Sequence, residues 1–340
     1  MTNDLPDSRL TEDSLLSKRI LPAALLLLAV TAARADVDAA VGAASFPAWA
    51  YAWDPQFKPQ PATDVPRRLP GSSAAFSVAQ ARDLFFSPDW HPDSHPAMLA
   101  VVARGRKPDV RACGCCHRAE GTGGPENASL AGLSAAYIVQ QMADFKSGAR
   151  KFSGPQRAPV VLMIEAAKAA TDAEVKAAAA YFSALQLKPN IRVIESRTVP
   201  RSYIAGNFHA PSKSGGTELL GQRIIEMPVD VEQFELRDSR AQFRAYVPVG
   251  SVARGATVVK SGGAGNALPC AGCHGANLRG FGAAPGIAGR SPSYIVRQLY
   301  DYQRGTRAGA GSALMRPVVA RFTESDMIAV AAYLGSLRGN

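Results

Sequence analysis

Cys113-Gly114-Cys115-Cys116-His117 and Cys270-Ala271-Gly272-Cys273-His274 stand 157 residues apart, and the segments that follow them match at the same offset. Residues 130–150 align with 287–307 at 10 identities in 21 positions. The shared part reads Ala131-Gly132-x-Ser134-x-x-Tyr137-Ile138-Val139-x-Gln141 against Ala288-Gly289-x-Ser291-x-x-Tyr294-Ile295-Val296-x-Gln298. Residues 162–181 match 314–333 at an offset of 152, with 7 identities in 20, so the first copy holds about five extra residues between Arg150 and Met163. Upstream, Val102-Ala103-Arg104-Gly105 recurs as Val252-Ala253-Arg254-Gly255. Self-similarity at a fixed offset marks a duplicated structural unit. The chain holds two copies of one domain.

Each copy reads as helical. Ser134 and Ser291 suit N-caps, and the runs after them place Tyr137, Ile138, Gln141, Met142 and Phe145, and Tyr294, Ile295, Leu299 and Tyr302, at helical spacing. Thr171-Asp172-Ala173-Glu174 and Thr323-Glu324-Ser325-Asp326 are capping-box patterns that open the last helix of each copy. Met98 to Val102 supplies an N-terminal helix to the first copy. The copies span residues 97–187 and 250–340. Two segments fall outside them. Residues 36–96 are proline-rich and are expected to wrap the surface as irregular chain. Residues 188–249 form a long connector, whose runs Ile191 to Val199 and Phe243 to Val249 predict a few strands or extended arms.

Both cysteine segments satisfy C-x-x-C-H, the attachment pattern for c-type haem. Two thiols three residues apart can each add to one vinyl group on the porphyrin edge, and the adjacent His comes under the ring as a ligand to iron. Cys113, Cys116 and His117 form the first such set, and Cys270, Cys273 and His274 the second. A structural disulfide would not need the His, and zinc needs more ligands than two Cys and one His. Cys115 is the odd thiol, either a passenger or a competitor during maturation.

A haem iron has a sixth position to fill. A thioether there raises the reduction potential and closes the site, which favours electron transfer; an open position invites catalysis. Met315 lies 41 residues after His274, and the C-terminal match puts Met163, 46 residues after His117, at the same place. Each stands eight residues before its capping Thr. A competing alignment of Pro159-Val160-Val161 with Pro317-Val318-Val319 would put Arg157, which cannot ligate iron, in place of Met163. His91 and His95 are rival ligands for the first iron, although their proline-rich setting reads first as a surface loop. Met142 and Met327 read as core fillers, and His209, in a polar stretch, is assigned no role.

The chain has 340 residues, 47% of them apolar, and a net charge of +10 from 38 basic and 28 acidic side chains. That composition excludes global disorder, and five cysteines are too few for a disulfide scaffold. Residues 1–35 read as an export signal: Lys18 and Arg19 precede an apolar stretch from Ile20 to Ala33, with a small-residue cleavage site near Ala35. The stretch is short for a transmembrane span, so an uncleaved anchor is the lesser reading. The expected product is a basic periplasmic protein. Its charge favours redox partners with acidic docking surfaces, including a membrane-bound oxidase or dehydrogenase. The chain contains no basic run with interleaved aromatics of the kind that binds nucleic acid.

The two C-x-x-C-H motifs, the Ala-Gly-x-x-x-x-Tyr-Ile-x-x-Gln stretch and the late Met before a capped helix resemble the tandem di-haem class I c-type cytochromes. The resemblance covers residues of about 98–187 and 250–338. It implies a mainly α fold of two tandem helical domains, each around one covalent haem c, with His117 and His274 as proximal and Met163 and Met315 as distal iron ligands. It also implies a protein that shuttles single electrons between redox partners and has no catalytic residues of its own. The alternatives are a haem enzyme, such as a peroxidase or sulfur-compound oxidoreductase with one exchangeable ligand, and the cytochrome subunit of a dehydrogenase or oxidase. Family members often place a Pro after the motif whose carbonyl holds the proximal imidazole. Pro285 fits in the second copy; in the first the matching residue is Ala128, with Pro125 nearby.

Overall fold

Helices form where the caps and the apolar spacing place them. The computed structural model describes residues 47–262 and 268–338, and the expected export signal with its cleavage site near Ala35 lies outside them. One short helix, α1 (Val78–Arg82), belongs to the N-terminal arm. The first helical unit contains α2 (Ala100–Ala103), α3 (Cys113–His117), α4 (Ala135–Ser147), α5 (Ala158–Ala169) and α6 (Asp172–Ser183). The connector adds α7 (Val231–Glu235), and the second unit contains α8 (Ser251–Ser261), α9 (Ala271–His274), α10 (Pro292–Gln303), α11 (Ser312–Val319) and α12 (Glu324–Ser336). Ser134 and Ser291 accept the backbone N–H of Tyr137 and Tyr294 respectively. Reciprocal capping boxes open α6 and α12 at Thr171/Glu174 and Thr323/Asp326. Among the described residues no helix is long and apolar enough to cross a membrane.

Each unit has its own core. Val101, Val102, Leu133, Ile138, Tyr181 and Phe182 fill the first, and Val258, Val296, Leu299, Met327, Ile328 and Val330 the second. Met327 is fully buried and Met142 lies against the first core, as expected for fillers. The second core also takes Ala50 and Tyr51 from the arm and Ile224 and Val247 from the connector. There α8 packs across α12 so closely that Gly255 faces the carbonyl of Ala329 and the Cβ of Tyr333. In the connector, Ile191–Glu195 pairs parallel to Phe243–Val247, which pairs antiparallel to Ile225–Pro228. Two further antiparallel pairs, Ser202–Ala205 with Phe208–Pro211 and Thr198–Pro200 with Thr217–Leu219, complete the expected extended structure.

Much of the arm is exposed irregular chain, but its C-terminal part carries two deeply buried side chains. Trp90 is only 2% exposed, and its indole N–H donates to Leu236 O at 2.8 Å. His91 is also buried, its Nε2–H donating to Asp238 Oδ1 at 3.0 Å. Proline-rich chain carries few backbone donors, so burying it strands few polar groups, and the connector supplies partners for those that remain. His209 likewise lies in a strand of the connector rather than in a polar loop.

The two copies meet through residues that the repeat preserves. Arg150 donates to Gln141 Oε1, Tyr294 OH and Gln298 Oε1 at 2.8–2.9 Å. Arg307 donates to Gln298 Oε1, Tyr137 OH and Gln141 Oε1 at 2.7–2.9 Å. Each guanidinium stacks over the matching ring of its own copy, Phe145 or Tyr302, at 4.4 Å. Backbone bonds from Lys151 N to Thr306 O and from Ala308 N to Ala149 O join the two loops. The arrangement is that of a two-fold contact, residue i meeting j and j meeting i, within one chain.

A Cβ at Gly255 would fall on the Ala329 carbonyl oxygen. Gly255→Val should therefore destabilise the protein by about 3 kcal/mol through forced separation of α8 from α12. Gly311→Ala, where an added Cβ meets nothing within 4 Å, should be neutral. Denaturant unfolding of both variants checks this.

Candidate metal centres

The two C-x-x-C-H segments fold as single helical turns, α3 and α9. At each, the imidazole is fixed through one nitrogen. His117 Nδ1 lies 2.8 Å from Ala128 O, and His274 Nδ1 lies 2.7 Å from Pro285 O. A carbonyl can only accept, so Nδ1 carries the proton and the lone pair sits on Nε2, the state an iron ligand needs. Both acceptors lie 11 residues beyond their His. Ala128 therefore does what Pro285 does, because the bond uses the backbone carbonyl and needs no particular side chain. Burial pushes the pKa of both His117 and His274 below the ordinary histidine value, which keeps the rings neutral.

None of the five cysteines is joined to another in a disulfide. Cys115 is fully buried and donates to Asp83 O at 3.6 Å, and the interaction of its thiol with that of Cys116 draws the Cys116 thiol down to about 6 and pushes that of Cys115 up. Burial raises the Cys113 thiol to about 12. Cys115 is thus enclosed beside the attaching pair, close to the carbonyl of Asp83.

Met163 lies on α5, whose apolar run Val160 to Ile164 is only half-buried; Ala167 is its one buried residue. Met315 lies on α11 and packs against the same core as Cys270. Free thiol pairs, imidazoles with an available Nε2 and thioether-bearing apolar helices with unfilled faces are the donor set and the lining that a covalent haem requires. The residues fit the group.

The rival ligands are committed elsewhere. His95 places Nε2 3.0 Å from Asp89 Oδ1 and Nδ1 2.8 Å from Pro96 O. His91 is bonded to Asp238. Arg157 caps α5 and is buried, donating to Ala52 O and Asn207 O at 2.9 and 2.8 Å.

One charged group near the first site escaped the sequence reading. Arg118, immediately after His117, is 1% exposed, and none of its three guanidinium nitrogens has a hydrogen-bond partner. It lies 3.7 Å from the carboxylate of Glu126 and 4.9 Å over the ring of Phe234. Burial draws its pKa down to about 10, so it remains cationic at neutral pH. At His117 the carboxylate of Glu126 acts upward and Arg150 and Arg118 act downward, whereas no charged group acts comparably on His274. The only sequence signal was the contrast of Arg118 with Gly275 at the matching position.

A cation beside an imidazole that would ligate iron favours the reduced state of that iron. A unit charge about 10 Å away at an effective dielectric of about 20 is worth roughly 1–2 kcal/mol, or tens of millivolts in a one-electron couple. Arg118→Leu should therefore lower the potential of the first centre by that order and leave the second unchanged, as read by a spectroelectrochemical titration that resolves two components.

The profile of the cytochrome c family matches residues 102–186 and 252–338. The thiosulfate dehydrogenase electron acceptor of Stutzerimonas stutzeri (strain A1501) is 28% identical over 236 residues, spanning 68% of this chain and 82% of that protein. Cytochrome c4 of Stutzerimonas stutzeri is 27% identical over 147 residues, spanning 38% of this chain and 69% of that one. A solved thiosulfate dehydrogenase from Marichromatium purpuratum overlays with a TM-score of 0.45 at 25% identity, covering 76% of this chain and 40% of that one. With the family profile matched in both copies, and each match enclosing its own C-x-x-C-H turn and carbonyl-anchored imidazole, the chain belongs to the cytochrome c family and carries two covalent haem c groups.

Proposed function

We propose that this protein relays single electrons between redox partners through two six-coordinate haems. The observation that carries this reading is the repetition of one local pattern in both copies: an imidazole pinned at Nδ1 by a carbonyl 11 residues on, and a Met on the helix before the last. In the proposal Cys113 and Cys116 hold the first porphyrin and Cys270 and Cys273 the second. His117 with Met163, and His274 with Met315, supply the axial ligands within domains at 97–187 and 250–340. Bound haem supplies an iron that cycles between two oxidation states. The chain's part is to hold the neutral imidazoles, surround the rings with apolar side chains and keep the coordination sphere the same in both states, which lowers the reorganisation that accompanies each electron.

The partner follows from the relatives. Two proteins named as electron acceptors of thiosulfate dehydrogenase align with two thirds of the chain, which supports a dehydrogenase as the electron donor here. The net charge of +10 supports an acidic docking surface on the partner, and the leader-like residues 1–35 support a periplasmic location.

Near-infrared magnetic circular dichroism of the oxidised protein, normalised to haem, should report two His/Met centres. Met163→Ala and Met315→Ala should each remove half of that signal. A high-spin or bis-His component in the unaltered protein would replace this reading with that of a haem enzyme.

A further inference from the structure

The two motif loops have equal length but opposite exposure. Residues 118–125, which follow the first motif, are all buried. Of their counterparts 275–282 only Leu278 is buried, and Ala276, Asn277, Arg279, Phe281 and Gly282 face solvent. What covers the first loop is the chain outside the repeat. Ser94 of the arm donates to Glu120 Oε1 at 2.9 Å. From the connector, Ser239 Oγ accepts the N–H of Glu120 at 3.1 Å, and Ser239 O accepts the Thr122 hydroxyl at 3.0 Å. The ring of Phe234 closes over Arg118. Arm and connector are themselves locked together through Trp90–Leu236 and His91–Asp238.

The second motif has no such cover among the described residues. Leu268 just before the motif is 67% exposed, and Phe281, whose Cβ lies beside Gly275, is 77% exposed. Large apolar side chains held in water beside a redox centre mark a contact site. The surrounding charge is one-sided. Residues 250–340 carry ten basic and three acidic side chains. Of the acids, Asp301 is buried and Asp326 is paired with Arg254 at 2.7 Å. Exposed bases lie next to the motif and the Met helix: Lys260 follows Val259, whose carbonyl accepts the Cys270 N–H, and Arg316 follows Met315.

We propose that the external redox partner docks on the second domain, its apolar contact on Leu268 and Phe281 and its acidic rim against Lys260 and Arg316, while the arm and connector withhold the first motif from that role. This rests on the electron-transfer reading above and adds which of the two domains meets the partner. The occupant is a redox protein with acidic groups ringing an apolar centre, because the exposed Phe and Leu sit within a basic field.

The test uses the reduced holoprotein and an oxidised acidic plastocyanin as the probe, with stopped-flow absorbance at low salt. Phe281→Glu and, separately, Leu268→Glu should each slow the second-order rate by about tenfold, because a carboxylate is placed against the partner's own acidic rim. Leu99→Glu, at a position 46% exposed in the first unit, should leave the rate unchanged. Haem absorbance and circular dichroism establish that each variant is folded. Equal slowing by Leu99→Glu, or no slowing by either second-domain variant, overturns the docking assignment while leaving electron transfer intact. Failure of the unaltered protein to exchange electrons with the probe overturns both readings.

Discussion

Two buried guanidinium groups, Arg150 and Arg307, decide how the halves of this molecule sit. Each is held by neutral oxygens alone, one Gln of its own copy and one Tyr and one Gln of the other. A cation taken out of water is tolerable only while its donors are satisfied, and stranding one costs about 3–5 kcal/mol. Sliding one copy over the other would strand both at once. The contact is therefore a register as well as an attachment, which accounts for Tyr, Gln and Arg at matching positions of the repeat.

Three further arginines repeat the device, and two of them reach the chain outside the repeat. Arg297 donates to Ala50 O of the arm and to Pro125 O of the first domain. Arg157 donates to Ala52 O and to Asn207 O of the connector. Arg290 spans the copies through Ser129 and Ala131. Each ties backbone carbonyls of segments far apart in sequence, so the arm and connector belong to the folded body. Their position breaks the symmetry that the duplication began with. One motif loop becomes enclosed and gains a buried cation at Arg118, and the other stays open with a Gly at the same place. Two centres built from one pattern thus acquire different surroundings, which is how a duplicated domain can differentiate its two redox potentials without changing a ligand.

The motif chemistry was legible from residues alone, because attaching a porphyrin through two thiols and one imidazole demands a fixed local spacing that a single turn of helix satisfies. The duplication, the N-caps and the capping boxes were legible for the same reason: each is a relation among residues a few positions apart. Tyr137 and Gln141 were read only as points of a helical face. Their polar identity in both copies was the available sign of an interface, and it becomes meaningful once the helices are paired. The burial of Trp90 and His91 within the proline-rich arm was not legible, since composition reports few backbone donors but says nothing about who stands opposite. Ala128 could not be recognised as the equal of Pro285, because the atom that matters is a carbonyl that every residue possesses.

The sequence by itself determined that two haem-binding helical domains lie in one chain, each with its own C-x-x-C-H turn, since those are matters of local spacing. Only the tertiary structure decided that the copies join through mutually solvated arginines, that residues 47–96 and 188–249 cover one motif and not the other, and that a lone buried Arg118 sits beside one imidazole. Those facts depend on contacts between residues more than 100 positions apart, such as Trp90 with Leu236 and Glu120 with Ser239. No local pattern encodes them, because burial and charge pairing at such distances are properties of the folded whole.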